Sequence, residues 1–401
     1  MKVSFNKQNI LLVIGIFIFA SYQFQIYWAE NSVKDSVLYI EGGGVQRFFI
    51  KIFGIFLLYM ALIRTFSISS FAYNFPVKIP LLYYITTVIV LFPIFISEDY
   101  SHTRAHLMAF NLVLFTPLLF INFYGQEGDK LFSKLIKITI WVIIIQLLAD
   151  LVIKLFDLNL VNTILGGMGN ANTFGLHLII AALGIRFIYQ NYFFSSIILI
   201  LTFGTGSLIC SLIALILLLQ ALFINFFRAT LSVVFLLIIT SLILFIFWDD
   251  IFSHFLFEFG PIKHAYLKVK GLITADVFNV GSVRGRVKWM IVGIELMKDN
   301  PLSIIFGHPG FLPFYTGDGF FFALLVTLGL PALLLFIASN IYLVLKGIFI
   351  NDPLLKFASY TLIIYVAFFC TNRILDYWPS GFIYLLVFSY LCRVKNNALR
   401  E

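Results

Sequence analysis

Three cations lie close together in a chain that otherwise carries few charges. Arg284, Arg286 and Lys288 fall within the stretch GSVRGRVKW, whereas only 11% of the 401 residues are charged. A planar guanidinium donates paired hydrogen bonds to phosphate oxygens, so two arginines with one residue between them predict a grip on a phosphate or pyrophosphate. The alternative is a solvated loop, or one attracted to anionic lipid headgroups, and charge alone favours neither.

The residues after this cluster predict a helix that lies on a membrane surface. Lys288, Glu295 and Asp299 form a narrow polar stripe between residues 287 and 299. The opposite face is apolar and holds Val287, Met290, Ile291, Ile294 and Met297. Such an amphipathic helix is typical of the membrane interface, and it should end before Pro301. The two arginines then lie at its N-terminal end, where the helix dipole adds to their attraction for an anion.

Two side chains further along could accept a proton from a substrate hydroxyl group. His308 lies in the stretch NPLSIIFGHPGF, and Asp318 precedes a long apolar run. Either could act as a general base beside a bound substrate. The alternative roles are structural: Asp318 would cap the helix and His308 would be a turn residue. The glycines around them, Gly307, Gly310, Gly317 and Gly319, predict a tight reversal of the chain.

The elements that carry these residues are predicted to be membrane helices. The chain is 61% hydrophobic and contains 48 Phe and 19 Tyr, which excludes an ordinary soluble domain. We therefore predict an all-α fold, a polytopic membrane helix bundle of about twelve spans that forms a single domain. The predicted spans are 10–29, 48–66, 79–97, 105–124, 135–156, 173–189, 192–206, 208–226, 230–248, 319–345, 357–371 and 379–393. The first is expected to stay uncleaved, and the apolar run around FGTGSLICS is expected to break at its glycines.

The distribution of Lys and Arg predicts how these spans are oriented. With both termini cytoplasmic, short inner loops carry cations such as Lys134, Arg186 and Arg393, while most acids fall outside. This asymmetry follows the positive-inside rule, so the net charge of +8 indicates topology and not a nucleic-acid partner. The long loop 249–318 is then on the outer face, folded against the bundle. Three cysteines within apolar runs indicate neither disulfides nor a metal site.

The order of several short motifs resembles the O-antigen polymerase and O-antigen ligase superfamily. These motifs are GNAN at 169–172, TGS at 205–207, RVKW at 286–289 and NPL at 300–302, followed by a Gly-x-x-Gly turn. The resemblance covers roughly residues 166–335. It implies a glycosyltransferase of the bacterial inner membrane that acts on undecaprenyl-pyrophosphate-linked oligosaccharides at the periplasmic face, with no nucleotide sugar, metal or other cofactor. A chain-length regulator protein is a further partner that it suggests.

The resemblance also implies roles for individual residues. Arg286, with Arg284 beside it, would bind the pyrophosphate. In such a reaction a carboxylate such as Asp318 would assist as base. Asn170, Asn172 and Ser207 would help to shape the bundle. The chain departs from the family where Leu208 replaces an arginine, and where Asp318 has no adjacent His, as ligases have. The second departure favours polymerase over ligase.

Other charges in or near the spans have two interpretations. Arg47, Arg104 and Arg373 would lie outside and could contact a second lipid-linked substrate, or they could pair with the nearby Glu41, Asp99 and Asp376. Asp150 and Lys154, four residues apart in one predicted span, most simply neutralise each other. A rival class, a lipid-linked oligosaccharide flippase, should show related halves and charged central spans, and we see no internal repeat.

Overall fold

The computed structural model describes only part of the chain, in several ranges. These are residues 10, 13–16, 53–62, 123, 128–156, 164, 166, 171–224, 290–295, 297–307, 319–372 and 378–393. Within these ranges every regular element is a helix and none is a strand. The helical fold class is therefore confirmed for the described residues. They divide into two compact units, one with the residues up to 62 and from 133 to 224, the other with 123–132 and 290–393.

The helices follow the predicted apolar runs closely. In chain order they are α1 (Phe53–Leu62), α2 (Gly128–Phe156), α3 (Ala171–Phe187), α4 (Tyr192–Thr202), α5 (Leu208–Ile224), α6 (290–295 and 297–299), α7 (Ser303–Phe306), α8 (Phe320–Ile348), α9 (Pro353–Phe369) and α10 (Trp378–Cys392). A short 3-10 turn, Phe203–Thr205, extends α4. Predicted spans 79–97 and 230–248 lie outside the described residues.

Two of the described helices are long and apolar enough to cross a membrane, judged by length and composition. They are Gly128–Val152 and Gly329–Ile348. Shorter apolar helices, among them Asn172–Phe187 and Pro353–Phe369, accompany them. The number of spans, the single-domain arrangement and the cytoplasmic termini stay predictions.

In the first unit, α3, α4 and α5 form an up-down-up arrangement. Asn172 near the start of α3 contacts Ser207 at the start of α5, and Arg186 near the end of α3 contacts Gln220 near the end of α5. The helices α3 and α5 therefore run in the same direction, and α4 between them runs the opposite way. The chain reverses at Gly206, so the predicted break at the glycines is confirmed.

In the second unit, α8, α9 and α10 also alternate in direction. An added Cβ on Gly319, before α8, would lie 3.4 Å from the carbonyl oxygen of Cys370, after α9. At the other end, Gly347 packs on Ser359 of α9 and on Leu391 of α10. These contacts at both ends require neighbouring helices to be antiparallel.

Aromatic rings and two buried tyrosine hydroxyl groups hold the centre of this unit. The ring centroids of Phe336 and Phe369 are 5.5 Å apart, and Phe369 lies 5.6 Å from Tyr384 in an edge-on contact. Tyr384 donates to the side-chain oxygen of Asn340 at 3.0 Å, and Tyr365 donates to the carbonyl oxygen of Ser380 at 2.7 Å. Because each buried hydroxyl has an acceptor, the rings contribute apolar packing without a desolvation penalty.

An ion pair closes one end of the second unit. Arg393 donates two hydrogen bonds to the carboxylate of Asp129, at 2.6 and 3.0 Å, and Tyr390 donates to the same group at 2.7 Å. The ring of Phe132 stacks on that of Tyr390 with centroids 3.8 Å apart. The start of α2 is thereby fixed against the end of α10, two ends that the topology prediction assigns to one side.

The span predicted at 319–345 is divided, which hydropathy alone does not indicate. Gly329 has φ 82° and ψ 174°, so the helical path stops there and resumes at Leu330. Only glycine adopts this conformation readily. Pro331 consequently lies in the first turn of the second half, where its missing N–H group costs no hydrogen bond.

Candidate functional site

The structure describes one of the ten residues predicted to form the site. The other nine lie outside the described residues: Arg47, Arg104, Asn170, Arg284, Arg286, Lys288, His308, Asp318 and Arg373. Asn172 is described, and so is Ser207, which the family resemblance singled out together with it. The candidate site is therefore built upward from these two residues and the groups around them.

A hydrogen bond joins the GNAN and TGS motifs. The hydroxyl group of Ser207 donates to the side-chain oxygen of Asn172 at 2.6 Å. The same hydroxyl oxygen accepts a bond from the backbone N–H of Cys210 at 3.4 Å, which caps the start of α5. The Cys210 thiol lies 3.5 Å from the backbone carbonyl oxygen of Asn172 and donates to it. Ser207 is buried, so the bond is shielded from water.

The turn that presents Ser207 follows from its local sequence. Gly206 has φ 67°, a left-handed conformation, and its N–H donates to the carbonyl oxygen of Phe203 at 3.1 Å. The Thr205 hydroxyl group donates to the carbonyl oxygen of Thr202 at 2.8 Å. The threonine therefore satisfies the backbone at the end of α4, and the glycine reverses the chain into α5.

Close packing of α3 against this turn depends on a glycine. Any Cβ on Gly175 would overlap the Cys210 sulfur atom and lie 3.1 Å from the Thr205 hydroxyl oxygen. The backbone of α3 therefore approaches the turn at a distance that no larger residue allows. This closeness brings Asn172, one turn earlier on α3, within reach of Ser207.

A carboxylate from α2 belongs to the same end of the unit. Asp150 is only 2% exposed, and its Oδ2 accepts a hydrogen bond from the backbone N–H of Gly166 at 3.3 Å. Two residues earlier, the N–H of Ile164 donates to the carbonyl oxygen of Gly204 at 2.9 Å. These bonds connect α2 to the turn before Ser207. The Lys154 side chain, its predicted partner, lies outside the described residues.

Sequence reasoning did not select His177, which lies on α3 beyond Asn172. The side chain is 1% exposed and sits within the apolar stretch of that helix. An imidazole in a predicted span is itself a signal of a functional or tightly packed position. The buried imidazole is therefore a further polar group of α3, beside the hydroxyl, amide and thiol groups described above.

The cluster consists of hydrogen-bonding groups. Asn172 and Ser207 carry neutral groups that both donate and accept hydrogen bonds. No three His, Cys, Asp or Glu side chains come together as a metal site among the residues that the structure describes. Cys210, Cys370 and Cys392 are all free thiols.

The helix predicted after the arginine cluster is present in its described part, and three residues of its apolar face are exposed. Residues 290–295 and 297–299 are helical, and Met290, Ile291 and Ile294 are exposed, as a helix lying on a membrane requires. On its buried side, an added Cβ on Gly293 would lie 2.8 Å from the ring of Phe322 in α8. The helix that follows the arginine cluster is thus packed on the helix that follows Asp318.

The NPL motif leads into α7, which docks on the break in α8. The backbone of Ile305 lies directly against Gly329, and the N–H of Gly307 would be 2.9 Å from a Cβ added there. On its other side this short helix exposes Leu302, Ile304 and Phe306, the last by 73%. The end of the predicted outer loop is therefore anchored to α8 by backbone contact.

Removing the Ser207 hydroxyl group should lower stability measurably. Ser207→Ala loses both the bond to Asn172 and the cap of α5, which we expect to reduce the free energy of unfolding by about 2 kcal/mol. Asn172→Ala combined with it in a double-mutant cycle should give a coupling of about 1 kcal/mol, measured by denaturation in mixed micelles.

Ser211→Ala is the matched control for this change. Its hydroxyl group bonds to the carbonyl oxygen of Ser207, which the backbone N–H of Ser211 already occupies. We therefore expect a change of less than about 0.5 kcal/mol. A coupling near zero between Asn172 and Ser207, or an equal loss in the control, would show that the bond does not hold the motifs together.

The comparison with known proteins adds no relative to this geometry. No family model, no curated protein and no solved structure matches the chain.

Proposed function

We propose that this chain is a glycosyltransferase of the O-antigen polymerase type. It joins undecaprenyl-pyrophosphate-linked oligosaccharide repeat units at the periplasmic face of the bacterial inner membrane. The observation that carries the proposal is the 2.6 Å hydrogen bond between Ser207 and Asn172, because it brings together two motifs on which the family resemblance rests.

The membrane placement is supported by composition and by the ends of the first unit. The chain is 61% hydrophobic, and two described helices have the length and composition of membrane spans. Within the first unit, Lys137 and Arg186 are near the turn at 188–191, whereas Asp150, Asn172 and Ser207 are at the opposite end. The cations near this turn fit a cytoplasmic side.

The chemistry requires a hydroxyl group, a pyrophosphate and a base. The hydroxyl oxygen of one repeat unit bonds to the anomeric carbon of the growing chain, while the bond from that carbon to the lipid pyrophosphate breaks. Arg286 and Arg284 stabilise the negative charge on the departing pyrophosphate. The carboxylate of Asp318 accepts the hydroxyl proton, so the step needs no metal or cofactor.

Packing of the described residues supports assigning Arg286 and Asp318 to one site. The helix that follows Arg286 contacts α8 through Gly293 and Phe322, and Asp318 immediately precedes α8. Ile305, which lies between these points in the sequence, is also held against α8 at Gly329. A base and a phosphate-binding cation that precede two mutually packed helices in the sequence can serve one substrate.

Reconstitution tests the proposal directly. The purified full chain in vesicles, supplied with lipid-linked repeat units alone, should produce a ladder of lengthening lipid-linked chains. The ladder should form in the presence of a chelator and without nucleotide sugar. Transfer of repeat units only to a lipid A core acceptor would indicate a ligase, and unchanged repeat units would contradict glycosyl transfer altogether.

The break in α8 favours one second candidate, a lipid-linked oligosaccharide flippase. Transporters commonly bind their substrates at helices that are interrupted, as α8 is at Gly329. A flippase would move repeat units across the vesicle membrane without joining them. Measuring translocation beside the ladder separates the two functions.

A further inference from the structure

Arg186 is a buried cation without a counter-charge in the described structure. It lies in the last turn of α3, and only 5% of its surface is exposed. Its Nη1 donates to Gln220 at 3.4 Å, and its Nε has no hydrogen-bond partner. None of the carboxylates that the structure describes forms an ion pair with it. Burying a guanidinium is unfavourable unless its charge and its N–H groups are satisfied.

The neighbouring backbone does not supply the missing acceptor. The carbonyl oxygen of Gly184 accepts from the N–H groups of Ile188 and Tyr189, at 2.8 and 3.4 Å. That of Ile185 accepts from Asn191 at 3.0 Å. These two carbonyl groups at the end of α3 are therefore used in its turn, and the helix dipole adds to the attraction for the cation.

Aromatic rings hold the guanidinium in place but accept no conventional hydrogen bond. The Arg186 guanidinium carbon lies 5.4 Å from the ring centroid of Phe187 and 5.3 Å from that of Tyr192. Both distances are within the range of cation–π attraction. The rings orient the guanidinium, and its Nε remains without an acceptor among the described residues.

A second cation and exposed aromatic residues lie around the same turn. The Lys137 ammonium group lies 5.8 Å from the ring centroid of Tyr189. Trp141, one turn further along α2, lies beside the Tyr189 hydroxyl group. Trp141, Tyr189 and Phe194 are exposed. Exposed Trp and Tyr beside cations are typical of the level of lipid headgroups.

A second arginine of the described structure has the carboxylate partner that Arg186 lacks there. Arg393, also assigned to a cytoplasmic end, has both carboxylate oxygens of Asp129 as acceptors, at 2.6 and 3.0 Å. Its charge is neutralised by the protein itself. Arg186 differs because none of the carboxylates that the structure describes neutralises it.

We propose that Arg186 and Lys137 bind the phosphate of an anionic phospholipid in the cytoplasmic leaflet. A lipid phosphate supplies the negative oxygens that guanidinium groups bind by paired hydrogen bonds, and its acyl chains lie beside the exposed aromatic residues. The proposal rests on the membrane placement above and not on glycosyl transfer. Inorganic phosphate offers the same negatively charged oxygen atoms, so the experiment tests the phospholipid and free phosphate separately.

The test measures thermal unfolding of the full chain in vesicles. The midpoint should be higher in phosphatidylcholine mixed with phosphatidylglycerol than in phosphatidylcholine alone, and Arg186→Gln should abolish this increase. Arg393→Gln, the matched control, should lower the midpoint in both vesicles and keep the increase. Inorganic phosphate added to phosphatidylcholine vesicles reports a free-anion site if it raises the midpoint of the wild type and not of Arg186→Gln.

Native mass spectrometry provides a second readout that does not depend on unfolding. Arg186→Gln should retain roughly tenfold less phosphatidylglycerol than the wild type, while Arg186→Lys, which keeps the charge but not the fork, should fall between them. Equal increases and equal retention in the wild type and Arg186→Gln would overturn the proposal. If the lipid effect is absent but the ladder of lipid-linked chains still forms, only the lipid-binding proposal is refuted. If the ladder is absent but the lipid effect is observed, only the polymerase proposal is refuted.

Discussion

Arg286→Ala will remove long polysaccharide chains from cells that depend on this protein, while single repeat units are still exported and attached. The guanidinium is proposed to stabilise the charge that develops on the departing pyrophosphate, and loss of one such preorganised donor lowers a rate by about 100- to 1,000-fold. Gel separation of the surface polysaccharide, with the amount of membrane-inserted protein measured in parallel, reports the change.

Lys298→Ala is the control for this experiment. Lys298 is exposed on the helix that follows the arginine cluster, and it is not among the residues predicted to form the site. Its loss should leave the chain-length distribution nearly unchanged. Wild-type chain lengths in a stably inserted Arg286→Ala protein would refute the assigned role.

Gly329→Ala will detach α7 from α8 and destabilise the second unit. The substitution combines a backbone conformation that residues with a Cβ avoid with direct overlap of the added atom and the Ile305 carbonyl oxygen. We expect a loss of about 3–5 kcal/mol in the free energy of unfolding, or cleavage by proteases around residues 302–307 that the wild type resists.

Gly319→Ala separates this effect from the general loss of a glycine. At Gly319 φ is −80°, and an added Cβ would lie 3.4 Å from the Cys370 carbonyl oxygen, which is ordinary contact. This control should change stability by less than about 1 kcal/mol. An equal change in stability in the two variants would mean that the contact between α7 and the break in α8 does not stabilise the second unit.

Hydropathy predicted the helices well because their apolar runs are long and their ends carry polar residues or glycine. The break at Gly206 was predictable since the run around it is too long for one span. The break at Gly329 was missed because the residues on both sides stay apolar. Its signal is Pro331, which follows too closely for the helix to continue undisturbed.

The contacts of the candidate site were less accessible to sequence reasoning. The polar motifs indicated that Asn172 and Ser207 matter, but their hydrogen bond depends on how α3 packs against α5, which no periodicity encodes. The contact of Asp150 with the Gly166 backbone has the same origin, and the sequence instead suggested Lys154 as its neighbour.

The shortness of α4 has a consequence for the lipid around the first unit. Tyr192–Thr202 and the 3-10 turn after it rise by about 22 Å, which is less than the roughly 30 Å of a bilayer's hydrocarbon layer. Hydrophobic mismatch of this size is relieved by local thinning of the membrane. In the proposed orientation the membrane would therefore be thinner on the outer side, beside Gly206.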